Sequence, residues 1–147
     1  MRVSKSSHYE FNNEMFSAIT HAFALGLAVT GTIALGIKGV NSGSQVELFS
    51  LIGFGVSLML LYTASTAFHG FYFSKARHVL QVLDHSGVFI LIAGSYLPYC
   101  LVAIGGKLGI GLLIAIWALC LGGIAYKLFF LNQIGRASCR ERVSSPV

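Results

Sequence analysis

The stretch Ser65-Thr-Ala-Phe-His69-Gly70, followed by the turn Phe71-Tyr-Phe-Ser74-Lys75-Ala-Arg77-His78 and the run Asp84-His85-Ser-Gly-Val-Phe-Ile-Leu-Ile-Ala-Gly-Ser-Tyr-Leu-Pro98, decides how this chain folds. A histidine closes one apolar run, a basic turn follows, and a carboxylate opens the next run. Two helices joined by so short a turn lie antiparallel, which brings His69 and Asp84 to the same end of the pair. Ionisable groups at membrane depth are costly and mark function. The question is therefore what else the chain brings to that end.

Working outward, apolar runs cover residues 18–37, 46–73, 79–104 and 108–131. Each is close to the ~20 residues that a membrane-spanning helix needs. Lys38 ends the first, and Gly39-Val-Asn41-Ser42-Gly43-Ser44 is a loop; Gly105-Gly106-Lys107 separates the third from the fourth. The runs are apolar all round the helix, as lipid-facing spans are. Only helices or closed barrels satisfy their backbone in lipid, and no alternating ten-residue pattern is present. The 147 residues are 55% hydrophobic and 10% charged, against about 25% charged in soluble domains. The expected fold is an all-α integral membrane helical bundle with four transmembrane helices.

The flanks differ in character. Residues 1–16 are polar and read as a cytoplasmic amino-terminal segment, without the apolar core of a cleaved signal peptide. Residues 17–134 form the transmembrane domain. Residues 135–147, Gly135-Arg-Ala-Ser-Cys139-Arg-Glu-Arg-Val-Ser-Ser-Pro-Val147, lose the apolar pattern abruptly and are expected to be a foreign read-through tail. Arg136, Arg140 and Arg142 against Glu141 supply two of the five net positive units. What remains suits anionic lipid, so membrane lipids are the expected partners. No basic patch interleaved with aromatics suggests nucleic acid. Cys100, Cys120 and Cys139 are too few and too far apart for a disulfide framework or a metal knuckle. Pro98 leaves the Gly94 carbonyl without its donor, so a kink is expected there. Small residues four apart, Ala22 with Gly26, Gly105 with Gly109 and Ala118 with Gly122, are candidate helix contacts.

Basic residues concentrate on one side: Arg2, Lys5, Lys75, Arg77 and Lys127, against Lys38 and Lys107 on the other. The positive-inside rule then places the amino terminus in the cytoplasm. His21, Ser65, His69, Asp84 and His85 gather at the cytoplasmic ends of three helices. Glu14, Ser17 and His21 share one helix face, as do Ser65 and His69. One imidazole, one carboxylate and a further donor suit tetrahedral zinc, with His69 and Asp84 as metal ligands. His85 lies about 100° around the helix from Asp84 and is expected to face the basic loop or headgroups. The competing reading is a hydrogen bond between His69 and Asp84 that neutralises a buried charge. No serine–histidine–aspartate triad is legible, because Ser65 and His69 have no orienting acid in sequence order.

Glu14-x6-His21, Ser65-x3-His69 and the block from Asp84 to Pro98 resemble the hemolysin III family, the bacterial branch of the progestin and adipoQ receptor superfamily. The resemblance covers about residues 10–131. It implies a parent of seven transmembrane helices with a cytoplasmic amino terminus, of which this chain is an amino-terminal fragment. It also implies that His69 is a zinc ligand, that Asp84 lies beside the metal and its water, and that Ser65 lines the same pocket. Asp84 and Ser65 are thus the expected catalytic residues, with His21 and His85 behind them. Two further zinc-binding histidines belong to a last helix that is absent here, so the ligand set is incomplete and the fragment is expected to be inactive. Ser17 stands where the family commonly has asparagine. The implied functions are a zinc-dependent hydrolase of lipid amides or esters in a bacterial inner membrane, a non-enzymatic membrane sensor with structural zinc, or a cytolytic pore.

Overall fold

A computed structural model describes the backbone of residues 3–143 and the side chains of residues 9–130. Among the described residues there are four α-helices: α1 (Val3–Asn41), α2 (Gln45–Gly70), α3 (Arg77–Pro98) and α4 (Gly106–Val143). A six-residue π-helical segment, Tyr99–Ile104, follows α3. No strand occurs among the described residues. The segments long and apolar enough to cross a membrane are Tyr9–Asn41, Gln45–Gly70, Arg77–Ile104 and Gly106–Phe130, one for each apolar run in the sequence.

The sequence explains where the helices begin and end. No glycine or proline precedes Gly26, so nothing interrupts α1 between its polar start and its apolar span. At the other end Gly43 takes φ 68°, a left-handed conformation that costs glycine nothing. Ser44 then caps α2 by accepting from the Glu47 amide at 3.3 Å, with Glu47 three residues on as a capping box requires. At Pro98 the missing donor produces the expected irregularity as a widened turn: the Gly105 amide donates to the Cys100 carbonyl, five residues back, at 3.1 Å. Gly105 and Gly106, at φ 66° and 58°, turn the chain into α4. The α4 backbone is helical to Val143; the side chains of the expected foreign tail, and residues 144–147 altogether, lie outside the described residues.

Among the described residues the four α-helices pack on their neighbours in sequence, α1 on α2, α2 on α3 and α3 on α4, and the π-helical segment touches α2, α3 and α4. Among the described residues the four form an open row rather than a closed bundle. The outer spans are accordingly 11% buried and the inner ones 28%. Close approach depends on glycine. A Cβ on Gly55 would come within 2.5 Å of Thr32 on α1, one on Gly53 within 2.6 Å of Leu97 on α3, and one on Gly123 within 2.6 Å of Phe89. The small-residue pairs expected from spacing are largely elsewhere. A Cβ on Gly26 or Gly122 would meet nothing within 4 Å, whereas one on Gly109 would meet the Cys100 carbonyl and one on Gly105 the Leu101 carbonyl at 4.0 Å. Spacing of four residues recurs on every face of a helix, and it does not say which face has a partner. Cys100 and Cys120 are free and buried, packed as small hydrophobes.

Candidate functional site between the first two helices

Hydroxyl side chains separate the packing interior from the site. Thr20, Thr30, Thr32, Ser50, Ser57, Thr63 and Ser95 all donate to carbonyls three or four residues back in their own helix. That is the ordinary way to satisfy a hydroxyl in an apolar helix. Ser65 is 4% exposed and does something else: its Oγ lies 2.6 Å from His21 Nδ1 on α1. The direction of that bond follows the tautomer of the imidazole.

One turn further along α2, His69 reaches across the same interface. Its Nδ1–H donates to Glu14 Oε2 at 2.6 Å, with the two side chains 20% and 21% exposed. The two bonds follow from antiparallel register: moving four residues on along α2 means moving back along α1, from His21 to Glu14. The His21 and His69 rings meet edge to face, centroids 5.2 Å apart, and Tyr62 stands 6.1 Å from His21. Aromatic rings bound the other side. Phe68 lies against His69 and Tyr72, and Phe73 stacks on Phe11 of α1. Arg77 covers this group: its guanidinium carbon is 3.8 Å from the Tyr72 ring centre, and Nη2 donates to the Tyr72 hydroxyl at 2.6 Å. The result is two imidazoles, a carboxylate and a hydroxyl at one end of the helix row, walled by aromatic side chains.

Of the residues expected at the site, His21, Ser65 and His69 come together. The competing reading, a hydrogen bond between His69 and Asp84, is not the one formed: the carboxylate that His69 Nδ1 meets is Glu14. Asp84 is half-buried on α3. Gly94 meets Ser57 and Gly87 meets Leu61 across the α2–α3 interface, and one more turn of that register sets Asp84 level with Ser65. Asp84 also shares a helix face with Gly87, so it lies on the side of α3 nearest α2. His85 departs from expectation. Instead of reaching the basic loop, its Nδ1 is shut off from the surface and has no partner, as is Thr66 Oγ1. The reason is that His85 shares a face with Phe89, four residues on, which packs against Gly123 of α4. Glu14 is the site residue whose role the sequence reading missed. The signal was its position two turns before His21, on the same face.

A tetrahedral zinc site needs three or four nitrogen, oxygen or sulfur ligands. Among the described residues no group of three or more His, Cys, Asp or Glu side chains is placed to hold a metal ion. One feature fits nevertheless: a metal-bound imidazole characteristically donates its other N–H to a carboxylate. His69 makes that bond to Glu14, which leaves its Nε2 lone pair for a ligand role.

Fold and site together define a multi-pass α-helical membrane protein with a histidine–carboxylate cluster at one end of its helices. The family model described as "Haemolysin-III related" matches residues 9–143, and the chain belongs to that family. It is similar to the Hemolysin-3 homolog of Bacillus subtilis strain 168, with 38% identity over 125 residues covering 85% of this chain and 59% of the relative. It is likewise 38% identical to Hemolysin-3 of Bacillus cereus over 125 residues, 85% of this chain and 57% of that protein. The chain therefore spans a little over half the length of these relatives. No solved structure matches it.

Proposed function

We propose that this chain supplies the first half of a zinc site in a hydrolase of the bacterial inner membrane, with the amino terminus and the site on the cytoplasmic side. The observation that carries the reading is the 2.6 Å bond from His69 Nδ1 to Glu14 Oε2, which fixes the proton on Nδ1 and presents Nε2. His69 is the zinc ligand, and Glu14 holds its ring in the ligating tautomer and orientation. Asp84, level with Ser65, would bond the water beside the metal and is the base that takes its proton. Ser65 donates a hydrogen bond at the site, and His21 keeps its hydroxyl turned inward. Bound zinc would supply a Lewis acid that activates water against a lipid amide or ester carbonyl. The family resemblance implies that the remaining ligands are two histidines four apart in a last helix.

A second reading, a non-enzymatic membrane sensor with structural zinc, is favoured by one observation: Asp84 makes no bond to His69, His21 or Ser65. The cytolytic reading has less behind it, because the polar side chains of the site bond across a packed helix interface rather than line an open channel.

A protein of the relatives' full length that carries this sequence separates these readings. Purified with zinc, it is expected to hold one equivalent. His69→Ala should abolish binding, and Glu14→Gln should weaken it by about 10–100-fold, as loss of a ligand's supporting carboxylate does. Zinc held equally well by His69→Ala sinks the metal assignment. Asp84→Ala that keeps zinc and loses lipid turnover supports the hydrolase; wild type that turns over no lipid leaves the sensor.

A further inference from the structure

At the end of the row opposite the histidines, an open cavity of about 550 Å³ lies between α1, α2 and the junction of α3 with the π-helical segment. Its apolar wall comes from Leu35, Leu51, Phe54 and Val102. Pro98 and Tyr99 also line it, so the groove lies where the lost helix donor widens the turn. π-Helical widening of this kind is frequent at functional sites. The volume lies in the range of sites that enclose a single small ligand, roughly 300–1,000 Å³.

Two opposite charges line this groove. Lys38 comes from the last turn of α1 and Glu47 from the first turn of α2. Among the described residues the only close carboxylate–base contact is that between Glu14 and His69, so Lys38 and Glu47 face one cavity without pairing with each other. Both stand at a helix end, the depth of lipid headgroups. Exposed Tyr99 stands with them, as amphipathic rings do at a membrane boundary. A ligand that matches this arrangement has an anion and a cation a short distance apart and an apolar tail that follows Leu51 and Phe54 inward.

We propose that this groove binds one zwitterionic phospholipid bearing a primary ammonium headgroup, with its phosphate on Lys38 and its ammonium on Glu47. Glu47 is half-buried, and its carboxylate gains most from a cation that donates N–H bonds; a quaternary ammonium donates none. An anionic headgroup would satisfy Lys38 and leave Glu47 without a partner. The site is independent of the histidine cluster and stands whether or not zinc binds there.

The test is native mass spectrometry of the purified, delipidated chain, titrated with phosphatidylethanolamine, phosphatidylcholine and phosphatidylglycerol. Phosphatidylethanolamine is expected to be retained as a single adduct, with phosphatidylglycerol about tenfold weaker and phosphatidylcholine between them. Glu47→Gln should erase the preference for the ammonium lipid, and Lys38→Gln should weaken all three. Ala103→Trp fills the groove from an exposed rim position without entering the packed core and should reduce adducts while circular dichroism stays unchanged. Equal retention of the three lipids, or retention indifferent to Glu47→Gln and Ala103→Trp, overturns the proposal. A dimer that Ala103→Trp disrupts, with no lipid adduct, overturns it in favour of a second copy as occupant.

Discussion

The two ends of the α1–α2 pair each set a carboxylate near a nitrogen-bearing side chain, and they handle the pair differently. At one end Glu14 and His69 close on each other at 2.6 Å, beside a second cross-helix bond from Ser65 to His21. At the other end Lys38 and Glu47 face one cavity and do not pair. The closed end lies within a packed interface, where an unpaired charge is expensive and its partner must come from the protein. The open end sits at a helix turn with a cavity beside it, where the partner can come from outside. Closure fixes the orientation of an imidazole; openness leaves two charges for a ligand to satisfy.

Substitutions at each end should therefore have very different costs. The largest effect is expected for His69→Ala, which strands the Glu14 carboxylate. It should cost about 2–3 kcal/mol in a denaturing-detergent titration, at or below the low end for broken buried pairs because a fifth of each side chain is exposed. Ser65→Ala removes the partner of His21 Nδ1 and should cost about 1 kcal/mol, in line with interhelical hydrogen bonds in membranes. Ser57→Ala removes a hydroxyl that serves only its own helix and should cost a few tenths. Equal losses for the two serines would erase the distinction between site and packing. Lys38→Gln should change stability by less than about 0.5 kcal/mol, as solvent-facing substitutions do, while weakening phospholipid retention. A loss as large as that of His69→Ala would mean that the open end is closed in the folded protein.

Much of the closed end was legible beforehand. Helical spacing placed Ser65 with His69 and Glu14 with His21, and loop charges put both pairs on the same side. The pairing itself was not. The short α2–α3 turn made Asp84 the nearest carboxylate in sequence, whereas the bond runs to Glu14, 55 residues away from His69. The same limit applies to His85, whose burial depends on where α4 lies, and to the glycines, where Gly55 and Gly123 make the close approaches while Gly26 and Gly122 make none. Lys38 read simply as the end of a span, because the cavity beside it draws its walls from three separate stretches of chain.

By itself the sequence determined the four helices, their antiparallel order and the set of residues at each end. A bilayer demands about 20 apolar residues per crossing, and the helical repeat fixes which side chains share a face. Tertiary structure alone decided which of those faces meet, and so which carboxylate holds His69 and which charges are left without a partner. That choice is set by close packing of side chains onto glycines, Thr32 against Gly55 and Leu97 against Gly53, which depends on the shapes of two helices at once.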